Sequence, residues 1–176
     1  MSRPQRTDLN SALKMIKFNV AAINCCTETE GPYKRLCIWF QGCDIHCKGC
    51  CNPDYQAFAL RNLMTLDELI AVIKDAKDKH GIEGVTYSGG EPTLQKDLPN
   101  FLQKIKSLGY SVKLDTNGTN PEMIKTLINN GVVDYFAMDI KNDKSSYAKI
   151  IGFDYFDMKN IEKSVEYFLG GNAPYE

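Results

Sequence analysis

The sequence predicts an α/β fold with a parallel sheet, on three observations. Strand-like and helix-like apolar periodicities alternate through its second half. The helical stretches between strands are long enough for the crossovers that parallel neighbours require. The chemically unusual residues follow strands rather than helices, as they do where α/β folds build ligand sites.

Taken in order, Phe18 to Ile23 reads as a possible extra strand and Leu36-Cys-Ile-Trp-Phe40 as a β-type run. Thr65-Leu-Asp-Glu68 is a capping box, in which hydroxyl and carboxylate satisfy each other's backbone donors. Leu66, Leu69, Ile70, Ile73 and Ala76 then repeat at helical spacing, and Gly81 suits a left-handed cap. Gly84 to Ser88 is a short strand. The next helix carries Leu98, Phe101, Leu102, Ile105 and Leu108 and stops at Gly109, before a strand from Tyr110 to Leu114. Asn120-Pro121 places a cap ahead of a proline at the first helical position, where its missing N–H costs nothing. That helix uses Met123, Ile124, Leu127 and Ile128 and closes at Gly131. Val132 to Met138 is strand again, and Met158 to Leu169 is a last amphipathic helix before Gly170-Gly171. With no linker, low-complexity tract or repeat, residues 1–176 read as one domain, with 1–14 a loosely ordered tail.

Composition narrows the function. The 176 residues are 43% apolar, with 21 basic and 22 acidic side chains and a formal charge of −1. Near-neutrality argues against a nucleic-acid partner, which a basic patch would neutralise. No stretch approaches the ~20 apolar residues of a membrane span, and the opening Met-Ser-Arg-Pro-Gln-Arg-Thr-Asp-Leu-Asn lacks the apolar core of a secretory signal. The expected location is cytoplasmic. All seven cysteines nevertheless fall between Cys25 and Cys51. In a reducing compartment such thiols are metal ligands or reactive groups rather than disulfides, and their clustering points to a site.

Cys43-Asp-Ile-His-Cys47-Lys-Gly-Cys50 is spaced C-x3-C-x2-C. Three thiolates this close suit one corner of a soft-metal centre. In a four-iron cubane they leave one iron open to a substrate. The competing reading is a structural zinc with Cys51 or His46 as fourth ligand, although zinc sites usually add a second C-x2-C or a histidine pair, and none follows downstream. Gly89-Gly90-Glu91 and Asp115-Thr-Asn-Gly118 read as ligand-facing turns or as plain turns. Asp115, Asp139 and Lys141 read as ligand contacts or as strand-end ion pairs.

The cysteine spacing after a strand resembles the signature of the radical S-adenosylmethionine (SAM) superfamily. Glu30-Gly-Pro-Tyr-Lys-Arg35, Phe40-Gln-Gly-Cys43 and Cys50-Cys-Asn-Pro53 resemble the cluster region of glycyl-radical-enzyme activases. These include the pyruvate formate-lyase activating enzyme and the anaerobic ribonucleotide reductase activating protein. Leu114-Asp-Thr-Asn-Gly118 and Met138-Asp-Ile-Lys141 extend the likeness across residues 15–176. It implies a partial (βα) parallel barrel, short at the C-terminus, where a further strand would begin after Ala173. The chain is then either a minimal member or a fragment.

The resemblance further implies a 4Fe-4S cluster on Cys43, Cys47 and Cys50, and reductive cleavage of SAM to a 5′-deoxyadenosyl radical. That radical would install a glycyl radical on a partner such as anaerobic ribonucleotide reductase or a formate-lyase-like enzyme. Electrons would come from a flavodoxin or ferredoxin. Gly89, Gly90, Glu91, Asp115, Thr116, Asn117, Asp139 and Lys141 become cofactor contacts. Glu91 would accept from the SAM ammonium, and Lys141 would approach its carboxylate or ribose. Asp115, Thr116 and Asp139 would lie beside a monovalent cation. Gly49 stands where many relatives have an aromatic residue, so adenine would find apolar contacts elsewhere. Cys37 reads as core, Cys51 as packing, and Cys25-Cys26 as loop. Arg35 reads as either a surface charge or a basic residue beside the site. The alternatives are a radical SAM enzyme acting on a small molecule or peptide, and a metal-binding or electron-transfer domain without SAM chemistry.

Overall fold

The computed structural model describes residues 16–27, 29–170 and 173–176, so the expected tail at 1–14 lies outside the described residues. The elements are β1 (Lys17–Thr27), β2 (Arg35–Phe40), β3 (Asn62–Thr65), α1 (Leu66–His80), β4 (Gly84–Gly89), α2 (Leu98–Ser107), β5 (Ser111–Thr116), α3 (Pro121–Asn130), β6 (Tyr135–Met138), α4 (Tyr147–Ile150) and α5 (Lys159–Leu169). They form one open sheet in the order β3-β1-β2-β4-β5-β6. β2, β4, β5 and β6 pair in parallel, as the alternation predicts, in the partial-barrel arrangement that the resemblance implies. β1, which contains the possible extra strand at Phe18 to Ile23, runs antiparallel to both β2 and β3; β3 and this antiparallel pairing have no counterpart in the sequence reading. Beyond β6, Tyr175 bridges Phe136 in parallel, so pairing does begin where a further strand is expected. No helix among the described residues is long and apolar enough to cross a membrane.

Local chemistry sets the helix ends as read. Thr65 Oγ1 accepts from the Glu68 N–H at 3.3 Å, and the Glu68 carboxylate accepts from the Thr65 N–H at 2.7 Å. Gly81 and Gly131 adopt left-handed φ of 68° and 60°. The Asn120 side chain accepts from the Met123 N–H ahead of α3. Three differences concern extent. β1 continues through Cys25 and Cys26, which are therefore strand rather than loop, and Cys25 is disulfide-bonded rather than a reduced thiol. β6 starts at Tyr135 rather than Val132, and the four-residue α4 carries no sequence signal of its own.

Alternation along the strands divides the sheet. Leu36, Ile38, Phe40, Val85, Tyr87, Val112 and Leu114 join one apolar core with the helices, where the tilted rings of Phe18 and Phe101 lie 4.8 Å apart. The intervening Arg35, Cys37, Thr86, Lys113 and Asp115 take the other face. Cys37 is fully buried, and burial pushes its thiol up to about 12.

Arg35 is neither a surface charge nor a neighbour of the strand ends that hold the cysteines. It starts β2, is 1% exposed, and spends its guanidinium on Thr86 Oγ1 (2.8 Å) and the carbonyls of Pro32 (2.8 Å), Val85 (3.0 Å) and Ser111 (3.1 Å). It thereby satisfies the polar groups where the parallel strands begin. Gly84 is what admits it, since a Cβ there would lie 2.6 Å from Nη1. Gly84→Ala should lower the urea unfolding free energy by about 1–3 kcal/mol through overpacking. The added cost should largely vanish in an Arg35→Ala background, as a double-mutant cycle would read.

Candidate functional site

A cavity of about 250 Å³ opens at the carboxyl ends of the parallel strands, and every site residue expected from the sequence lines it. Cys43, Cys47 and Cys50 form one side. Gly89, Gly90 and Glu91 follow β4, Asp115, Thr116 and Asn117 end β5, and Asp139 and Lys141 follow β6.

The cysteine loop is pinned on both flanks. On one, Gly42 N–H donates to Tyr55 O at 2.8 Å and Cys43 N–H to Gln56 O at 2.9 Å. On the other, His46 N–H donates to Ile151 O at 2.9 Å and Lys48 N–H to Ile150 O at 3.1 Å. Ile45 anchors the loop from beneath, buried with Tyr147, Ile151 and Ile161 in a second apolar cluster. This explains the one apolar side chain between Cys43 and Cys47.

The two glycines at the end of β4 line the cavity and also admit protein backbone closely. A Cβ at Gly89 would lie 2.3 Å from the Phe40 backbone, and one at Gly90 would lie 2.1 Å from Gly42 O. Their absent side chains let this turn clasp the start of the cysteine loop. Gly90 N–H donates to Phe40 O and Glu91 N–H to Gly42 O, at 2.9 and 2.8 Å.

Glu91 is fully buried. Its Oε1 accepts from Thr93 N–H (3.0 Å), Thr93 Oγ1 (2.6 Å) and Thr116 Oγ1 (2.8 Å), and its Oε2 from Asn117 N–H (2.7 Å). A carboxylate has about four acceptor positions; three of these donors converge on Oε1 and one on Oε2, which keeps an acceptor position. The carboxylate binds the end of β4 to the end of β5 while lining the cavity. Burial pushes its pKa up, against the pull of those four hydrogen bonds.

The aspartates are paired as well. Lys113 Nζ lies 3.0 Å from Asp115 Oδ1 on the inner face of β5, with its side chain 9% exposed. Burial raises the Asp115 pKa, and Lys113 opposes that rise. The Lys141 ammonium bonds Asp139, and Thr116 Oγ1 is committed to Glu91. Lysine ammonium groups thus stand against both carboxylates beside which a monovalent cation is expected. Lys113 is a site residue that the motifs miss, although the two-residue strand period placed it on the face of Asp115.

Cys43, Cys47 and Cys50 carry free thiols. Burial pushes Cys43 up to about 12 and raises Cys47 too, so binding a metal there must displace protons. Among the described residues no trio of His, Cys, Asp or Glu is already drawn in to metal-ligand distance. The donor set is nonetheless three soft sulfurs on one wall, which suits an iron–sulfur centre. Of the fourth ligands a zinc would recruit, His46 lies against Phe153, with ring centroids 6.1 Å apart. Cys51 does line the cavity, exposed rather than packed. Gly49 leaves open space, and Ile45 and Ile150 supply the apolar wall.

Comparison with known proteins agrees with this layout. The model of the radical SAM superfamily matches residues 37–169. The pyruvate formate-lyase-activating enzyme of Clostridium pasteurianum is 31% identical over 157 residues, covering 86% of this chain and 65% of that protein. The 7-carboxy-7-deazaguanine synthase of Aquifex aeolicus is 37% identical over 118 residues, covering 67% of this chain and 50% of that protein. The chain spans about half the length of the curated relatives it matches. The crystal structure of QueE from Escherichia coli superposes with a TM-score of 0.59 at 13% identity, covering 97% of this chain and 98% of that one, a likeness of fold.

Glu91→Gln should destabilise the metal-free chain by about 1–3 kcal/mol, because an amide N–H₂ would face buried donors. Urea unfolding would read this. A variant as stable as the parent would mean that the carboxylate is free in the cavity.

Proposed function

The chain belongs to the radical SAM superfamily, and from that membership we propose that it cleaves SAM reductively to modify a glycine of a partner protein. The family implies a 4Fe-4S cluster and SAM. The observation that carries the reading is the convergence of the three cysteines and the polar strand ends of β4, β5 and β6 on one cavity.

In this reading Cys43, Cys47 and Cys50 hold the cluster. Bound together, cluster and SAM supply the one-electron cleavage that yields methionine and a 5′-deoxyadenosyl radical. The remaining work belongs to the chain. Backbone bonds from both flanks fix the cysteine loop, so the three thiols approach from one side. The Gly89–Gly90 clasp keeps the β4 turn against that loop. Lys141, partnered with Asp139, presents positive charge at the rim for a carboxylate. Burial disfavours that charge, but the Asp139 bond and the nearby thiols hold its pKa above the ordinary value. Ile45 and Ile150 give an apolar surface for a purine and exclude water.

The protein-glycine substrate is supported by the similarity to the pyruvate formate-lyase-activating enzyme along 86% of the chain. A small-molecule substrate is the second reading, favoured by the 37% identity to 7-carboxy-7-deazaguanine synthase. A glycyl-radical doublet in the electron paramagnetic resonance (EPR) spectrum of a candidate partner, incubated with chain, SAM and reductant, supports the first. Turnover of a small molecule with no such doublet supports the second.

Two outcomes test the shared chemistry. Anaerobically reconstituted and reduced protein should release 5′-deoxyadenosine from SAM. Cys47→Ala should abolish that release and Cys51→Ala should spare it. No product from a fully loaded, reduced parent would refute the reading. SAM affinity should be equal in choline and potassium buffers, because Lys113 already faces Asp115. Lys113→Met should weaken binding in choline, with potassium restoring part of it.

A further inference from the structure

Asn117 is 5% exposed at the end of β5, and its backbone N–H and both ends of its side-chain amide have partners. Its backbone N–H donates to Glu91 Oε2 at 2.7 Å. Its side-chain Oδ1 accepts from Thr119 N–H at 2.9 Å and from Thr119 Oγ1 at 2.8 Å. The Thr119 backbone N–H can only donate, so it fixes which end of the amide is oxygen. The N–H₂ end is thereby turned toward the cysteine loop. There Nδ2 donates to Asp44 Oδ1 at 3.0 Å and to Cys43 Sγ at 3.7 Å.

We infer that Asn117 is a positioning residue for the Cys43 sulfur, and that its amide raises the reduction potential of the iron–sulfur centre. The inference rests on the reading of Cys43 as a cluster ligand. Reduction adds an electron whose charge is shared by the ligand sulfurs. A donor aimed at a sulfur stabilises that charge more in the reduced state than in the oxidised one. The Asn117 amide is suited to this because it is buried, its rotation is blocked by Thr119, and its second hydrogen is taken by Asp44. Cys50 also receives a donor, the Asn52 N–H at 3.3 Å, but that one is backbone and only proline would remove it. The donor to Cys43 comes from a side chain and is therefore adjustable by sequence. The same residue links Glu91 to the cysteine loop, so the β4 turn acts on the cluster through Asn117.

The test is a redox titration of reconstituted protein without SAM, followed by EPR, on the parent, Asn117→Leu and Asn117→Asp. Iron and sulfide content are measured alongside. Both variants should load a full cluster and titrate at more negative potential. The Asp variant should shift further, because its carboxylate keeps the acceptor for Thr119 but turns an anion toward the sulfur. If Asn117→Leu does not fold, Asn117→Asp and Thr119→Val, which removes one of the two anchors, carry the test. Fully loaded variants at the parent's potential would overturn the inference, and weakened SAM binding at unchanged potential would make Asn117 a SAM contact instead. A parent chain that loads no iron and sulfide would overturn the cluster reading itself, a distinct result.

Discussion

One buried carboxylate organises the working end of this protein. Glu91 gathers donors from Thr93, Thr116 and Asn117, tying the turn after β4 to the turn after β5. Its own N–H reaches across to Gly42 at the entrance of the cysteine loop. Three strand ends are thus fixed to one another by a group with no exposure to solvent. Burying an ionised carboxylate is costly unless it is fully hydrogen-bonded, and four donors meet that condition. The position of the Cys43 thiol, the orientation of the Asn117 amide and the floor of the cavity all follow from this knot.

The sheet's inner face repeats the pattern at its other end. Arg35 is as buried as Glu91 and is likewise satisfied by neutral partners, in its case mainly strand-start carbonyls. Between the two stand Cys37, Thr86 and the Lys113–Asp115 pair. One face of the parallel strands therefore packs as apolar core against the helices, while the other holds polar groups that face one another within the protein. Paired in this way, the aspartates meet an incoming ligand with lysine charge beside them.

Much of this was legible in the sequence where the signal is local. The capping box at Thr65, the Asn120-Pro121 start, the left-handed glycines and the cysteine spacing each depend on residues within a few positions of one another. The helix caps hold in the fold as read. The strand-end motifs also converge, because a parallel α/β sheet brings its carboxyl ends together whatever the intervening helices contain. What the sequence hid depends on partners far along the chain. Arg35 meets Ser111 and Glu91 meets Asn117, pairings that only the folded sheet creates. The close approach of the Phe40–Gly42 backbone to the glycines at 89 and 90 likewise depends on residues far along the chain. Cys51, expected to pack, is instead exposed on the cavity wall. The antiparallel pairing of β1 and β3 had no motif to announce it.

The central claim is that the three cysteines and the surrounding strand ends form one centre that binds cluster and SAM together. EPR of the reduced, reconstituted protein with and without SAM tests it most directly. The account predicts a 4Fe-4S signal whose g-values and line shape change on SAM addition, and no such signal in Cys43→Ala. A cluster signal indifferent to saturating SAM, or a chain that takes up zinc in place of iron, would contradict it.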